Sequence, residues 1–124
     1  MKTHRMTAGK YVITDACMSY DDYYQNFLID GHWSNVEGEK MGSSFIRGTG
    51  SDGGWIVRDM NNNIVGYTGA DAANVSVIPQ AVIKGPIPNW YGTYIEFDED
   101  FDIVVYHDSI VIGNKYRVRM PGVR

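Results

Sequence analysis

The sequence predicts an α+β fold that is mainly antiparallel β, a sandwich or an open barrel, with one N-terminal amphipathic helix. Three observations favour it: short β-prone runs separated by turn residues, one aromatic stripe at helical spacing, and 14 glycines against 4 prolines in 124 residues. A chain of this length holds one hydrophobic core, so we expect a single domain covering residues 1–124.

The clearest strand pattern lies within residues 48–79, behind a glycine-rich loop. Trp55–Val57 and Ile64–Tyr67 are β-prone runs on either side of Asp59–Asn63, whose short polar side chains tolerate the left-handed backbone of a tight turn. This arrangement predicts a β-hairpin.

A second group of turn residues, Thr68–Asp71, separates that hairpin from a further strand at Asn74–Ile78. Alternation within this strand places Val75 and Val77 on one face. Pro79 ends the strand, because proline has no N–H to donate to a sheet.

The N-terminal part predicts a strand at Lys10–Thr14 followed by the helix. Ser19 stands where an N-cap is favoured and Gly31 closes the segment. The helix would pack on the sheet through an aromatic stripe with i, i+3, i+4 spacing, made of Tyr20, Tyr23, Tyr24, Phe27 and Leu28.

The remaining segments predict loops and a meander of strands. Residues 30–44 are polar and glycine-containing, which is typical of a mobile loop or lid, and Phe45–Ile46 begins a short strand. The Pro86–Pro88 segment is a connection inside the domain. Antiparallel strands with short turns are expected at Tyr94–Phe97, Phe101–Val105, Ile110–Ile112 and Tyr116–Val118.

The charge of the chain limits its partners. A formal net charge of −4 argues against a generic nucleic-acid binder, which needs a cationic surface to displace counterions from phosphates. Basic residues are nevertheless concentrated near the C-terminus, and this patch could hold a small anion. The patch contains Lys115, Arg117, Arg119 and Arg124.

Cysteine and histidine usage is sparse. Cys17 is the only cysteine, so no internal disulfide is expected, and no apolar run approaches the roughly 20 residues of a membrane helix. His4, His32 and His107 lack metal-ligand spacing. We therefore expect a cytoplasmic protein with no membrane association, metal or cofactor.

The glycine-rich loop Gly48–Gly54 could hold an anion on its backbone N–H groups, or it could be only a turn. No Lys-Ser/Thr pair and no helix follow it, so it is not a P-loop. Asp59–Asn63 begins like a calcium loop, but Ile64 and Ala70 occupy the positions that require glycine and glutamate.

Aromatic and polar residues near the predicted loops suggest a ligand site. Stacking faces beside hydroxyl groups and cations such as Arg47 suit a nucleotide-like or sugar-like ligand, although the same rings could fill the core of a small sheet. The predicted ligand-binding residues are Thr49, Ser51, Asp52, Trp55, Arg58, Trp90 and Tyr91.

Two other functions stay open. A small hydrolase could use Asp15 or Cys17 with His107, if the fold brought these residues together. A virion or assembly component is also possible, because tyrosine-rich surfaces and exposed strand edges favour self-association into a homo-oligomer.

The order of motifs resembles a group of small, largely uncharacterised β-rich proteins from phages and bacteria. Their pattern is a strand ending in Asp-Pro-x-Tyr, a short helix, a Gly-Asp-Gly-x-Tyr strand, an acidic-small turn and a Phe-x-x-x-Phe meander. Ala16 replaces the proline and Trp55 the tyrosine. The matching segments are Ile13–Cys17, Ser51–Trp55, Gly69–Ala72 and Phe97–Phe101.

This resemblance implies a non-enzymatic binding protein of phage type. We expect a phage accessory factor with an anti-defence role, which captures a host protein or a small anionic, nucleotide-type signal. Such a phage-encoded protein would act in the cytoplasm of the host cell.

Overall fold

Two antiparallel sheets form the protein, as seen in a computed structural model that describes residues 2–20, 22, 25 and 35–121. The first sheet has the strand order β1 (Lys2–Met6), β9 (Phe101–Tyr106), β10 (Ser109–Ile112), β11 (Tyr116–Arg119), β5 (Gly53–Asp59), β6 (Ile64–Ala70). The second has the order β3 (Glu39–Met41), β4 (Ser44–Gly48), β7 (Asn74–Pro79), β2 (Gly9–Thr14), β8 (Thr93–Phe97).

The two sheets pack face to face, and their inward-facing residues form the main core. Val75 and Val77 of β7 are fully buried against residues of the other sheet such as Val57 and Ile103, which confirms the predicted alternation. The predicted mainly antiparallel β fold is therefore correct, and of the two predicted architectures it is the sandwich.

One side of the sandwich is closed by bonds between the sheets at the edge strands β6 and β8. The Gly69 N–H donates to the Tyr91 carbonyl oxygen at 2.9 Å, and the Thr93 hydroxyl donates to the Tyr67 carbonyl oxygen at the same distance. A Cβ on Gly69 would overlap the Tyr91 ring, so glycine permits this close approach. We call this the closed side.

The opposite side lies between β1 of the first sheet and β4 of the second. Its cross-sheet contacts come from side chains: the His4 ring lies 5.1 Å from the Phe45 ring, and His4 Nε2 lies 3.2 Å from the Glu37 carbonyl oxygen. We call this the open side. A cavity lies on this open side.

The predicted hairpin is confirmed, whereas the predicted second turn is misplaced. Asp59 accepts hydrogen bonds from the N–H groups of Asn61 and Asn63, both at 2.9 Å, which fixes the turn between β5 and β6. Strand β6 continues through residues 68–70, which pair with residues 53–55 of β5. The turn falls instead at residues 71–73.

The predicted amphipathic helix is not seen among the described residues. Most of its stripe lies outside them; within the segment Asp22 and Gln25 have helical backbone geometry. The helical elements with described bounds are two 3₁₀ turns, Ala16–Met18 and Gln80–Val82. No helix in this described part is long and apolar enough to cross a membrane.

Two strands were not predicted. The segment Lys2–Met6 is polar in sequence, yet it pairs with β9 throughout its length. Glu39–Met41 lies in the predicted mobile loop and pairs with β4. Pairing partners distant in sequence, not local propensity, define both strands.

Candidate functional site

The predicted ligand loop is closed by its own hydrogen bonds. The Thr49 hydroxyl donates to the Ser51 carbonyl oxygen at 2.7 Å, and the Thr49 N–H donates to the Ala73 carbonyl oxygen at 2.8 Å. Asp52 is exposed beside them. The hydroxyl and backbone N–H of Thr49 are therefore occupied by the protein itself.

The two predicted ligand residues of β5 lie on opposite faces of its sheet. Trp55 packs against the inter-sheet core, on the same face as the buried Val57. Arg58 is three residues from Trp55 and points outward, where its Nη1 donates to the Asn62 carbonyl oxygen at 3.0 Å. The structure therefore does not bring Trp55 and Arg58 into one site.

Trp90 and Tyr91 are adjacent but differ in environment. Trp90 is 70% exposed, whereas Tyr91 is 6% exposed, and their rings meet edge to face with centroids 5.6 Å apart. The Tyr91 hydroxyl lies 3.2 Å from Cys17 Sγ. Tyr91 thus belongs to a buried cluster, and Trp90 remains an exposed ring.

Asp15 organises that cluster as a structural carboxylate. Its oxygens accept hydrogen bonds from Cys17 N at 2.8 Å, Ala72 N at 2.7 Å and Asn74 Nδ2 at 3.2 Å. Asp15 thereby ties the first 3₁₀ turn to the turn before β7. Burial raises the pKa of Asp15, while these hydrogen bonds act in the opposite direction.

The alternative with a nucleophilic Cys17 requires a thiolate. Burial raises the pKa of Cys17 to about 11, so the thiol is protonated at neutral pH. Burial also raises the pKa of its neighbour Tyr91. His107 lies in the turn between β9 and β10, and the described contacts of Asp15 and Cys17 do not include it.

A cavity of about 240 Å³ lies on the open side, and Arg47 reaches into it. Arg47 shares the inward face of β4 with Phe45 and is fully buried. Its Nη1 donates to the Ser109 carbonyl oxygen at 2.9 Å, and its Nη2 donates to the His107 carbonyl oxygen at 2.6 Å. We call this the Arg47 cavity.

The Arg47 guanidinium is buried, and no described carboxylate forms an ion pair with it. Its Nε is a buried donor with no hydrogen-bond partner in the described structure. Burial lowers the pKa of Arg47, and the charge of nearby Asp108 counteracts this only in part. A buried cation with a spare donor is an energetic cost that a bound anion would offset.

The mouth of the Arg47 cavity carries both signs of charge. Lys2 and Glu37 are exposed there together with His107, so Arg47 sets the positive character of the interior. Sequence reasoning named Arg47 only as one cation among several. The sequence did contain a sign of this role: Arg47 follows Phe45 by two residues, and side chains two apart on a strand share one face. A charge therefore lies on the same face as a core aromatic residue.

Comparison with known proteins gives no relative for this site. The chain matches no family model, no curated protein and no solved structure. Within the described ranges, no group of three His, Cys, Asp or Glu side chains could hold a metal ion.

Proposed function

We propose that this protein is a non-enzymatic binding protein that takes the anionic group of a ligand into the Arg47 cavity. One observation carries the proposal: a fully buried guanidinium, held by two carbonyl oxygens and forming no ion pair with a described carboxylate, belongs to a residue that lines the cavity. Its buried Nε has no hydrogen-bond partner among the described residues. Buried charges in proteins are ordinarily paired, and a ligand anion would be the missing partner.

The size of the cavity limits what enters it. Its volume of about 240 Å³ is below the roughly 300–1,000 Å³ of pockets that enclose a drug-sized ligand. A phosphate or carboxylate group fits inside, and the remainder of a nucleotide-sized ligand would lie outside. Lys2 at the mouth supplies a second cation for such a group.

The biological setting that we propose is the one that the resemblance implies. A phage accessory factor with an anti-defence role could remove a nucleotide-type signal by binding it without catalysis. The protonated state of Cys17 supports binding over thiol chemistry.

Thermal unfolding in the presence of inorganic phosphate tests the anion site. We expect phosphate to raise the Tm of the wild-type protein at constant ionic strength, because a ligand that binds only the folded state stabilises it. Lys2→Met should reduce the shift, since Lys2 lines the mouth and its side chain is exposed. Lys10→Met, at an exposed position of β2 in the other sheet, is the matched control.

A second experiment addresses the natural ligand. The protein would be incubated with a nucleotide extract, repurified, heated, and the released compounds identified by mass spectrometry. Equal Tm shifts in phosphate and chloride, or an undiminished phosphate shift in Lys2→Met, would exclude the Arg47 cavity as an anion site. If heating releases no nucleotide in excess of the amount released from a control protein, a nucleotide ligand is excluded.

A further inference from the structure

A groove crosses the outer face of the six-stranded sheet, on the side turned away from the core. Two adjoining depressions of about 470 and 360 Å³ share Tyr106, Val111 and Asn114 as lining residues. We call their combined surface the outer groove. Tyr106 also lines the Arg47 cavity, so the two sites adjoin. The outer groove does not include Arg47, and its function does not depend on the proposal above.

One end of the outer groove has an excess of basic side chains: Arg117 and Arg119 line it with a single carboxylate, Asp108, and Arg58 adjoins it on strand β5. Arg58 and Arg117 stand directly opposite each other on neighbouring strands, and both point outward because their neighbours Val57 and Val118 are buried in the core. The side chain of Arg117 forms no ion pair or hydrogen bond with another described residue. Like charges opposite each other destabilise a sheet, and an anionic group between them would remove that repulsion.

The other contacts of the arginine side chains at this end do not neutralise their positive charge. Arg58 donates to a carbonyl oxygen, that of Asn62, and not to a carboxylate. Arg119 lies 3.9 Å from Asp108, but both side chains are at least half exposed, so water screens this pair. The basic end is therefore charged and accessible.

The middle of the groove is apolar and aromatic. Tyr106 is 43% exposed and Met60 is 42% exposed, and Val111 forms the floor between Val104 and Arg117. Exposed tyrosine and methionine beside arginine are typical of protein interfaces.

The other end of the groove is acidic, which restricts the occupant. Asp100 and Asp102 line it, and Asp102 is paired with Arg5 at 3.2 Å. A nucleic acid lying along the groove would place phosphates against these carboxylates, so a polyanion does not match the whole surface. A peptide segment that carries acidic residues at one of its two ends matches the charges of the groove.

We propose that the outer groove docks an extended segment of a partner protein, with acidic residues on Arg58 and Arg117 and an apolar residue on Tyr106 and Val111. The carboxylates would add charge-assisted hydrogen bonds and offset the like-charge repulsion between Arg58 and Arg117, which stand opposite each other in register. The apolar residue would cover the exposed ring of Tyr106. Because the two ends of the groove differ in charge, the segment would bind in one orientation.

Fluorescence anisotropy with labelled synthetic peptides tests this proposal. The probe EELYKK has its acidic residues together, and the control KELYEK has the same composition with the charges interleaved. We expect EELYKK to bind more tightly, and Arg117→Glu to weaken it by about tenfold or more. Lys10→Glu, with the same charge change at an exposed position in the other sheet, should leave binding unchanged.

Arg117→Glu should remain folded, because it converts a like-charge contact with Arg58 into an attractive one. Equal affinity for the two peptides, no binding of either, or equal affinity of Arg117→Glu and Lys10→Glu would overturn the proposal. Tighter binding of a single-stranded oligonucleotide would also overturn it. So would sedimentation showing that wild-type protein dimerises and Arg117→Glu is monomeric, because a second copy would then fill the groove.

Discussion

The Arg47 guanidinium spans the sandwich and donates a hydrogen bond from Nη2 to the His107 carbonyl oxygen at 2.6 Å. Arg47 belongs to the five-stranded sheet, and His107 to a turn of the six-stranded sheet. A second bond, to the Ser109 carbonyl oxygen, holds the other side of the same turn. Arg47 is thus both a tie between the sheets and the cation of the cavity.

Arg47→Lys should lower the free energy of unfolding by about 1–3 kcal/mol, because a single shorter ammonium group cannot serve both carbonyl oxygens. Urea denaturation followed by tryptophan fluorescence measures the change. Arg5→Lys is the matched control, since Arg5 forms an exposed ion pair, and we expect a change within about 0.5 kcal/mol. Equal effects of the two variants would show that Arg47 is not a structural tie.

Cys17 should react slowly with iodoacetamide in the folded protein. Its pKa is raised from 9.0 to about 11, so at pH 8 the thiolate fraction is about 100-fold smaller than in the unfolded chain. Mass spectrometry of timed samples gives both rates, with the urea-unfolded chain as control. Native protein that reacts as fast as unfolded protein would restore the hydrolase alternative.

Stability should fall as the pH rises from about 9 to about 11. In this range the unfolded chain has released the Cys17 proton and the folded protein retains it, so the unfolded state binds fewer protons. The contribution is complete below pH 9. Urea unfolding midpoints measured across this pH range give the slope of stability against pH.

Cys17→Ser should make the slope shallower, because serine does not titrate in this range. Some slope should persist, since burial also raises the pKa of Tyr91. Identical slopes in the wild type and Cys17→Ser would contradict this assignment.

Gly69→Ala should open the closed side of the sandwich. The added methyl group would overlap the Tyr91 ring, and relieving that overlap should cost about 1–3 kcal/mol of stability. Gly85→Ala is the control, because nothing lies within 4 Å of its Cβ position. Differential scanning calorimetry should show a lower Tm only for Gly69→Ala, and unchanged Tm for both would contradict the close packing of β6 on this ring.

Local patterns in the sequence were sufficient for most of the sandwich. Alternation in Asn74–Ile78 and the polar turn Asp59–Asn63 act over a few residues, so one strand and one hairpin could be predicted correctly. The strand Lys2–Met6 could not, because its side chains are mostly polar and its pairing with β9 depends on residues about a hundred positions away.

The candidate site was harder to predict than the fold. Arg47 contacts a carbonyl oxygen 60 positions along the chain, and no spacing rule connects the two residues. The predicted ligand residues Trp55 and Arg58 show the opposite case: they are close in sequence but lie on opposite faces of one strand, so one ligand cannot contact both from one face of the sheet. In both cases the contacts of a side chain depend on which face of its sheet it occupies and on what lies opposite that face.

The double role of Arg47 links occupancy of the cavity to the integrity of the sandwich. On the open side, separating the sheets breaks the bonds from Arg47 to the turn, whereas the closed side keeps its backbone bond between Gly69 and Tyr91. An anion that binds the same guanidinium only in the folded protein would make separation of the sheets on that side less favourable. If an anion binds there as proposed, resistance to proteolysis should rise when it is added.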